Sequence, residues 1–240
     1  MNTISTIAKK WYEDFSRYAE DIYPGRYTYG TCWELAEYAL AIRYRAKEKN
    51  ACIVAHNYLY PEFHELADMV GDSLGLSFYV RDQHAERVYF QSVYFMAATA
   101  KMIVGEHIRV FVSDTPNALG CSLVFGTDYQ WIEKWKQKYP DGVLVTYINS
   151  DAYLKSISDF ICTSRNTDAV IVRAAEMFPG RKILVLPDKY LGFVMKAKAV
   201  QQGVHPELID IYDYSSNGWN ASCYVHEKIG DQAVENMLDE

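Results

Sequence analysis

The chain has 240 residues, half of them hydrophobic, with seven prolines and a formal charge of −7. It is long enough for one or two buried cores and too apolar to be disordered. Its acidic balance argues against broad phosphate-backbone binding, which relies on Lys/Arg patches. The sequence has no run of about 18 apolar residues to span a bilayer and no basic-then-apolar leader, so a cytoplasmic protein without membrane or nucleic-acid partners is expected. Five cysteines at 32, 52, 121, 162 and 223 form an odd set without a secretory signal. Free thiols, metal ligands or buried thiols therefore fit better than a disulfide framework.

Ile4, Ile7, Ala8, Trp11, Tyr12 and Phe15 recur at helical spacing, and residues 32–47 repeat the pattern after a Tyr23-Pro24-Gly25 turn. The wholly apolar run 51–55 suits a strand covered on both faces of a parallel sheet. Pro61 opens a helix that ends near Gly71. A strand is then expected at 77–80, a helix at 88–104 and a strand at 108–112, before a loop containing Cys121. Helix 131–138 ends at Pro140-Asp141-Gly142; strand 143–146, helices 151–160 and 168–178, and strand 182–186 follow. Alternating strands and helices predict parallel βαβ units, whose ligands gather beyond the strand carboxyl ends. Two domains are expected, residues 1–140 with the N-terminal helices and residues 141–240.

The two units are copies of one layout. At an offset of 91 residues (56 to 147), His56 aligns with Tyr147, Tyr58 with Asn149, Asp68 with Asp159 and Ser73 with Ser164. Arg109–Phe111 and its neighbours also match 183–188 at a smaller offset. In both copies an apolar strand runs into a polar tip, and a serine follows 17 residues on (56 to 73, 147 to 164).

Cys121 and Cys223 lie in loops rich in Gly, Asn and Ser. Thiolates converging in space hold iron or zinc, but without a C-x-x-C pair a plain loop thiol is the commoner reading of each. Cys32, Cys52 and Cys162 have apolar neighbours and read as buried thiols. For His56 and His226 a satisfied structural histidine and a proton-transfer or anion-binding group are both open. Ser73 and Ser164 are placed either to cap a helix or to bind carboxylate or phosphate. His205-Pro206-Glu207 reads as loop.

Several segments together resemble quinolinate synthase. They include Ala55-His56-Asn57-Tyr58, Pro61-Glu62, Asp68-Met69-Val70-Gly71-Asp72-Ser73, Gly120-Cys121-Ser122 and Thr146-Tyr147-Ile148-Asn149. Thr163-Ser164-Arg165-Asn166, Leu186-Pro187-Asp188-Lys189-Tyr190-Leu191-Gly192 and Cys223-Tyr224-Val225-His226-Glu227 continue the match in order. The resemblance implies repeated three-layer α/β/α units with short parallel sheets, two of the family's three pseudo-symmetric domains being present. It also implies a [4Fe–4S] cluster held by one cysteine per domain, here Cys121 and Cys223, and the condensation of iminoaspartate with dihydroxyacetone phosphate to quinolinate in NAD biosynthesis. By the same resemblance Tyr58, Tyr147 and His226 are catalytic, and His56, Ser73, Asn149 and Ser164 bind substrate. An aspartate-oxidising enzyme is the implied partner.

The family continues into a third domain carrying a further cysteine, a catalytic glutamate and a His-Pro-Glu-Cys segment. The sequence stops at Glu240, and its own His205-Pro206-Glu207 precedes Cys223. Asn220 stands where the family carries a glycine after the tryptophan. The expectation is a sequence covering the first two domains, either cut short of its third domain or completed by a third domain from a separate chain, or a site closed in a homo-oligomer. The alternative is a shortened, non-catalytic relative that keeps the fold and binds a dicarboxylate.

Overall fold

The computed structural model describes residues 3–17, 23–216, 219–220 and 223. Two helices lead: α1 (Ile4–Phe15) and α2 (Tyr29–Glu48) each start behind a threonine, Thr3 or Thr28, whose hydroxyl accepts from an amide of the first turn. The first compact unit then runs β1 (Ala51–His56), α3 (Pro61–Leu66), β2 (Met69–Gly71), α4 (Ser73–Arg81), β3 (Arg87–Gln91), α5 (Tyr94–Val104) and β4 (Arg109–Phe111). The second comprises α6 (Ser122–Phe125), α7 (Tyr129–Lys138), β5 (Val143–Tyr147), α8 (Ala152–Ile157), β6 (Phe160–Cys162), α9 (Thr167–Met177), β7 (Ile183–Leu186), α10 (Lys189–Gln201) and β8 (Ile209–Ile211). A two-stranded ribbon of β9 (Ser215–Ser216) and β10 (Trp219–Asn220) follows. No helix among the described residues is long and apolar enough to cross a membrane.

Each unit holds a four-stranded parallel sheet, ordered β2-β1-β3-β4 in the first and β6-β5-β7-β8 in the second. The repeat read from the sequence is exact in register at its first strands. Val54 pairs with Met69 and His56 with Gly71, while Val145 pairs with Phe160 and Tyr147 with Cys162. The aspartates that the offset aligned perform one task twice. Asp68 Oδ2 accepts from the Ile53 amide at 2.8 Å, and Asp159 Oδ2 from the Leu144 amide at 2.8 Å. Each carboxylate thereby ties the short second strand back to the first.

In the second unit alternate strand residues face opposite layers, as a pleated strand requires. Val143, Val145, Ile183 and Val185 pack with Ile171 and Ala174 of α9 and Met195 and Ala199 of α10. Leu144, Leu184 and Leu186 pack with Ile132 and Trp135 of α7, Leu154 of α8 and Tyr212. The closeness of these layers is visible at Gly192, where a Cβ would lie 2.8 Å from Ile211 Cγ2.

Several expectations are corrected. The compact units divide between Leu119 and Gly120, not at residue 140. Helix α7 belongs to the second core because Ile132 and Trp135 bury against its sheet. Residues 77–80 form the end of α4 rather than a strand; the Asp72 carboxylate caps that helix by accepting from the Leu74 and Gly75 amides. The expected helix at 88–104 is split, its first residues being the central strand β3 and the rest α5. Short strands β2 and β6 replace the ends of helices expected at 61–71 and 151–160. The counterpart of β7 is β3, since both pair with the first strand of their sheet, and β4 instead matches β8 at the edge.

Replacing Asp159 by Ala leaves the buried Leu144 amide without its acceptor, a loss of roughly 1–3 kcal/mol. Urea unfolding is expected to show a lower midpoint with an unchanged slope.

Candidate active site

In both units the polar tip is carried by the carboxyl end of the first strand. In the first unit His56 ends β1, and the backbone turns immediately so that the rings of His56 and Tyr58 lie 4.1 Å apart at 31°. The Tyr58 amide donates to His56 Nδ1 at 3.3 Å, which assigns the proton of the neutral ring to Nε2. Burial pushes the imidazole below its ordinary pKa; the negative Asp72 opposes that shift and His64 adds to it. The Tyr58 hydroxyl accepts from the Val93 amide at 2.7 Å and points to Met96 Sδ at 3.9 Å. Ser73, the first residue of α4, is buried close behind Gly71, the residue paired with His56.

In the second unit Tyr147 ends β5. Asn149 Nδ2 donates to its phenol oxygen at 3.0 Å, and the nearby Ser164 side chain acts to lower the phenol's pKa. Burial, reinforced by Cys223 and Asp188, pushes the phenol up to about 12, so it holds its proton at neutral pH. Tyr147 and Asn149, picked out singly from the repeat, are thus joined by a hydrogen bond.

Cys121 lies in this second unit rather than the first, where the residue 140 boundary would have placed it. It precedes α6, and the nearby Leu123 and Val124 amides favour the thiolate. Burial outweighs them and raises its pKa, with the charges of Cys223 and Asp188 adding to the rise. Cys121 and Cys223 are half-buried. A thiol pair of this kind suits ligation of soft or borderline metals, including iron–sulfur groups. Among the described residues no third His, Cys, Asp or Glu completes a metal-binding group with them. Cys32, Cys52 and Cys162 are buried, as their neighbours predicted; Cys162 Sγ accepts from the Thr167 hydroxyl and lies beside the Thr146 carbonyl. His226 lies outside the described residues.

Two further groups were not singled out from the sequence. Asp188 is 1% exposed, follows β7 and caps α10 through the Tyr190 and Leu191 amides, while its charge reaches Cys121 and Tyr147. An acidic residue directly after an all-apolar strand was the available signal. Lys155, 4% exposed, donates from Nζ to the Ser150 carbonyl just beyond the Tyr147–Asn149 tip. Asp151, on the same helix turn, accepts from the Tyr129 hydroxyl and attracts the Lys155 ammonium. Nothing in the lysine's sequence position signals its burial.

The fold and site define a repeated parallel α/β protein whose polar residues and paired thiols gather beyond the strand carboxyl ends. A family model for quinolinate synthetase A protein matches residues 40–240. Quinolinate synthase from Pyrobaculum aerophilum is 42% identical over 184 residues, covering 76% of this chain and 53% of that protein. The Caldicellulosiruptor bescii quinolinate synthase is 40% identical over 189 residues, 79% of this chain and 56% of the relative. That of Mycolicibacterium paratuberculosis is 34% identical over 201 residues, 83% and 52%. The chain belongs to the quinolinate synthetase A family, and it spans about half the length of these curated relatives.

Burial lowers Lys155 from its ordinary 10.5 to about 8. Between those values the unfolded chain holds more protons than the folded one, so stability rises with pH across that window. Relative to Lys155→Met, the native chain is expected to gain roughly 1–3 kcal/mol from pH 8 to 10.5. Chemical denaturation of both proteins at several pH values checks this.

Proposed function

We propose that this chain contributes the first two domains of a quinolinate-forming site, in which iminoaspartate and dihydroxyacetone phosphate condense with loss of phosphate and water. The observation that carries the reading is the Asn149–Tyr147 hydrogen bond at the tip of β5, in the unit that also contains Ser164, Cys121 and Cys223. Family membership supports the same reaction class. Cys121 and Cys223 would hold two corners of a [4Fe–4S] cluster. When bound, such a cluster with an open iron supplies Lewis acidity for dehydration.

The chain's own residues would bind and move protons around that centre. The Asn149 amide and the Ser164 hydroxyl would offer donors for a substrate carboxylate, and Asn149 orients the Tyr147 phenol through the bond it makes to it. Tyr147 remains protonated and serves as a proton donor. In the other unit the neutral His56 ring, with Nδ1 engaged by the Tyr58 amide, presents Nε2–H as a hydrogen-bond donor. Tyr58 has its hydroxyl aimed by the Val93 amide and is suited to proton transfer. Ser73, at the start of α4, is proposed to bind a substrate carboxylate, and His226 to line the site beside Cys223. An aspartate-oxidising enzyme would supply the short-lived imine. The remaining part of the site would correspond to the portion of the relatives that this sequence does not span.

Anaerobic reconstitution with iron and sulfide tests the reading. The native chain is expected to bind both and to develop iron–sulfur absorption, whereas Cys121→Ser and Cys223→Ser each lose most of the bound iron. With cluster formation intact, Tyr147→Phe is expected to lower quinolinate production by roughly 10²–10⁴-fold. A native chain that retains no iron with all thiols reduced would instead favour a dicarboxylate-binding, non-catalytic relative.

A further inference from the structure

We propose that the first unit carries a binding site for a small amphiphilic anion, an apolar ring system bearing a carboxylate, in the cavity between α2 and the sheet. The cavity measures about 510 Å³, within the size range of small-molecule sites. It stands where the second unit has a closed core. By the strand pairings Ile53 corresponds to Leu144, Tyr89 to Leu184, Gln91 to Leu186 and Ser113 to Tyr212, and by the sequence offset between the copies Phe63 of α3 corresponds to Leu154 of α8. In the second unit all five are fully buried in one cluster under Ile132 and Trp135. In the first unit the same five positions line open space.

The decisive exchange is at the end of the edge strand. Tyr212 is 0% exposed and fills the gap between its sheet and α7, with its hydroxyl accepting from the Asp128 amide and donating to the Gly126 carbonyl. Its counterpart Ser113 has no ring, so an aromatic-sized volume is left unfilled, bounded by the Tyr89 ring and by Tyr38 and Ile42 of α2. Tyr38 and Ile42 remain 67% and 44% exposed, an apolar stripe that faces the sheet without closing on it. Occupancy by an apolar ring would remove this surface from water.

Charge selects an anion. Arg45 and Lys49 border the cavity, and neither makes an ion pair with a described residue. No acidic side chain lines it. A carboxylate at that rim meets two cations, while its ring lies against Tyr89 and Phe63. Gln91 and Ser113 supply polar atoms at the other margin.

Calorimetry on the whole chain with naphthoate, and with neutral naphthamide as its isostere, tests the proposal. Naphthoate is expected to bind at one site per chain and at least about tenfold more tightly than naphthamide. Ser113→Tyr, which installs the plug found in the other unit, is expected to weaken naphthoate by at least about tenfold and to raise the melting temperature. Arg45→Gln combined with Lys49→Gln, both exposed and harmless to folding, is expected to abolish the preference for naphthoate. Unchanged preference in that double variant overturns the proposal even if Ser113→Tyr fails to fold. So does a native chain that binds neither probe and instead self-associates through this face, with Ser113→Tyr shifting it to monomer in sedimentation.

Discussion

Each sheet depends on a carboxylate that reaches back to its first strand. Asp68 and Asp159 stand just before β2 and β6, and each accepts the amide of a residue near the start of the preceding strand, Ile53 or Leu144. A parallel pair joined by a crossover of barely a dozen residues leaves little chain for a full covering helix, so the crossover must be pinned locally. The carboxylate does this with one charge-assisted bond to a buried amide. With that pin in place, β1 and β2 end together, as do β5 and β6. His56 then sits opposite Gly71, and Tyr147 opposite Cys162.

The second helices of the crossovers start from those fixed strand ends. Asp72 caps α4, placing Ser73 in its first turn, while Ser164 approaches Tyr147 from the turn before α9. The same backbone device therefore delivers a serine to each tip, and the chemistry differs with the residue at the strand end. A neutral imidazole packed beside the Tyr58 ring occupies the first, and a high-pKa phenol held by Asn149 the second. Burial sets both protonation states by disfavouring the charged form, as imidazolium in one case and phenolate in the other.

The two units also diverge away from their tips. The second closes its α7-facing layer with leucines and Tyr212, whereas the first meets the same positions with Tyr89, Gln91 and Ser113 and leaves a cavity. Duplication keeps the hydrogen-bond frame because every member of a parallel sheet needs it. The layer over the sheet can vary as long as enough apolar area remains buried.

Much of this was legible in the residue order. The polar tips, the offset between the copies, the aligned aspartates, the parallel α/β class and the burial of Cys32, Cys52 and Cys162 all follow from local pattern, because strand alternation and turn chemistry act over a few residues. Residues 77–80 and 88–91 were misread because short apolar runs fit helix and strand equally, and the cap at Asp72 and the central place of β3 decide between them. Pairing, not pattern, assigned β7 its counterpart, and burial of Ile132 and Trp135 moved the boundary so that Cys121 and Cys223 share a unit. The sequence by itself determined which groups stand at the strand ends and that they occur twice. Only the tertiary structure decided which of them touch, that Lys155 and Asp188 are buried beside them, and that one copy of the fold is filled where the other is open, because desolvation and packing depend on residues distant in the chain.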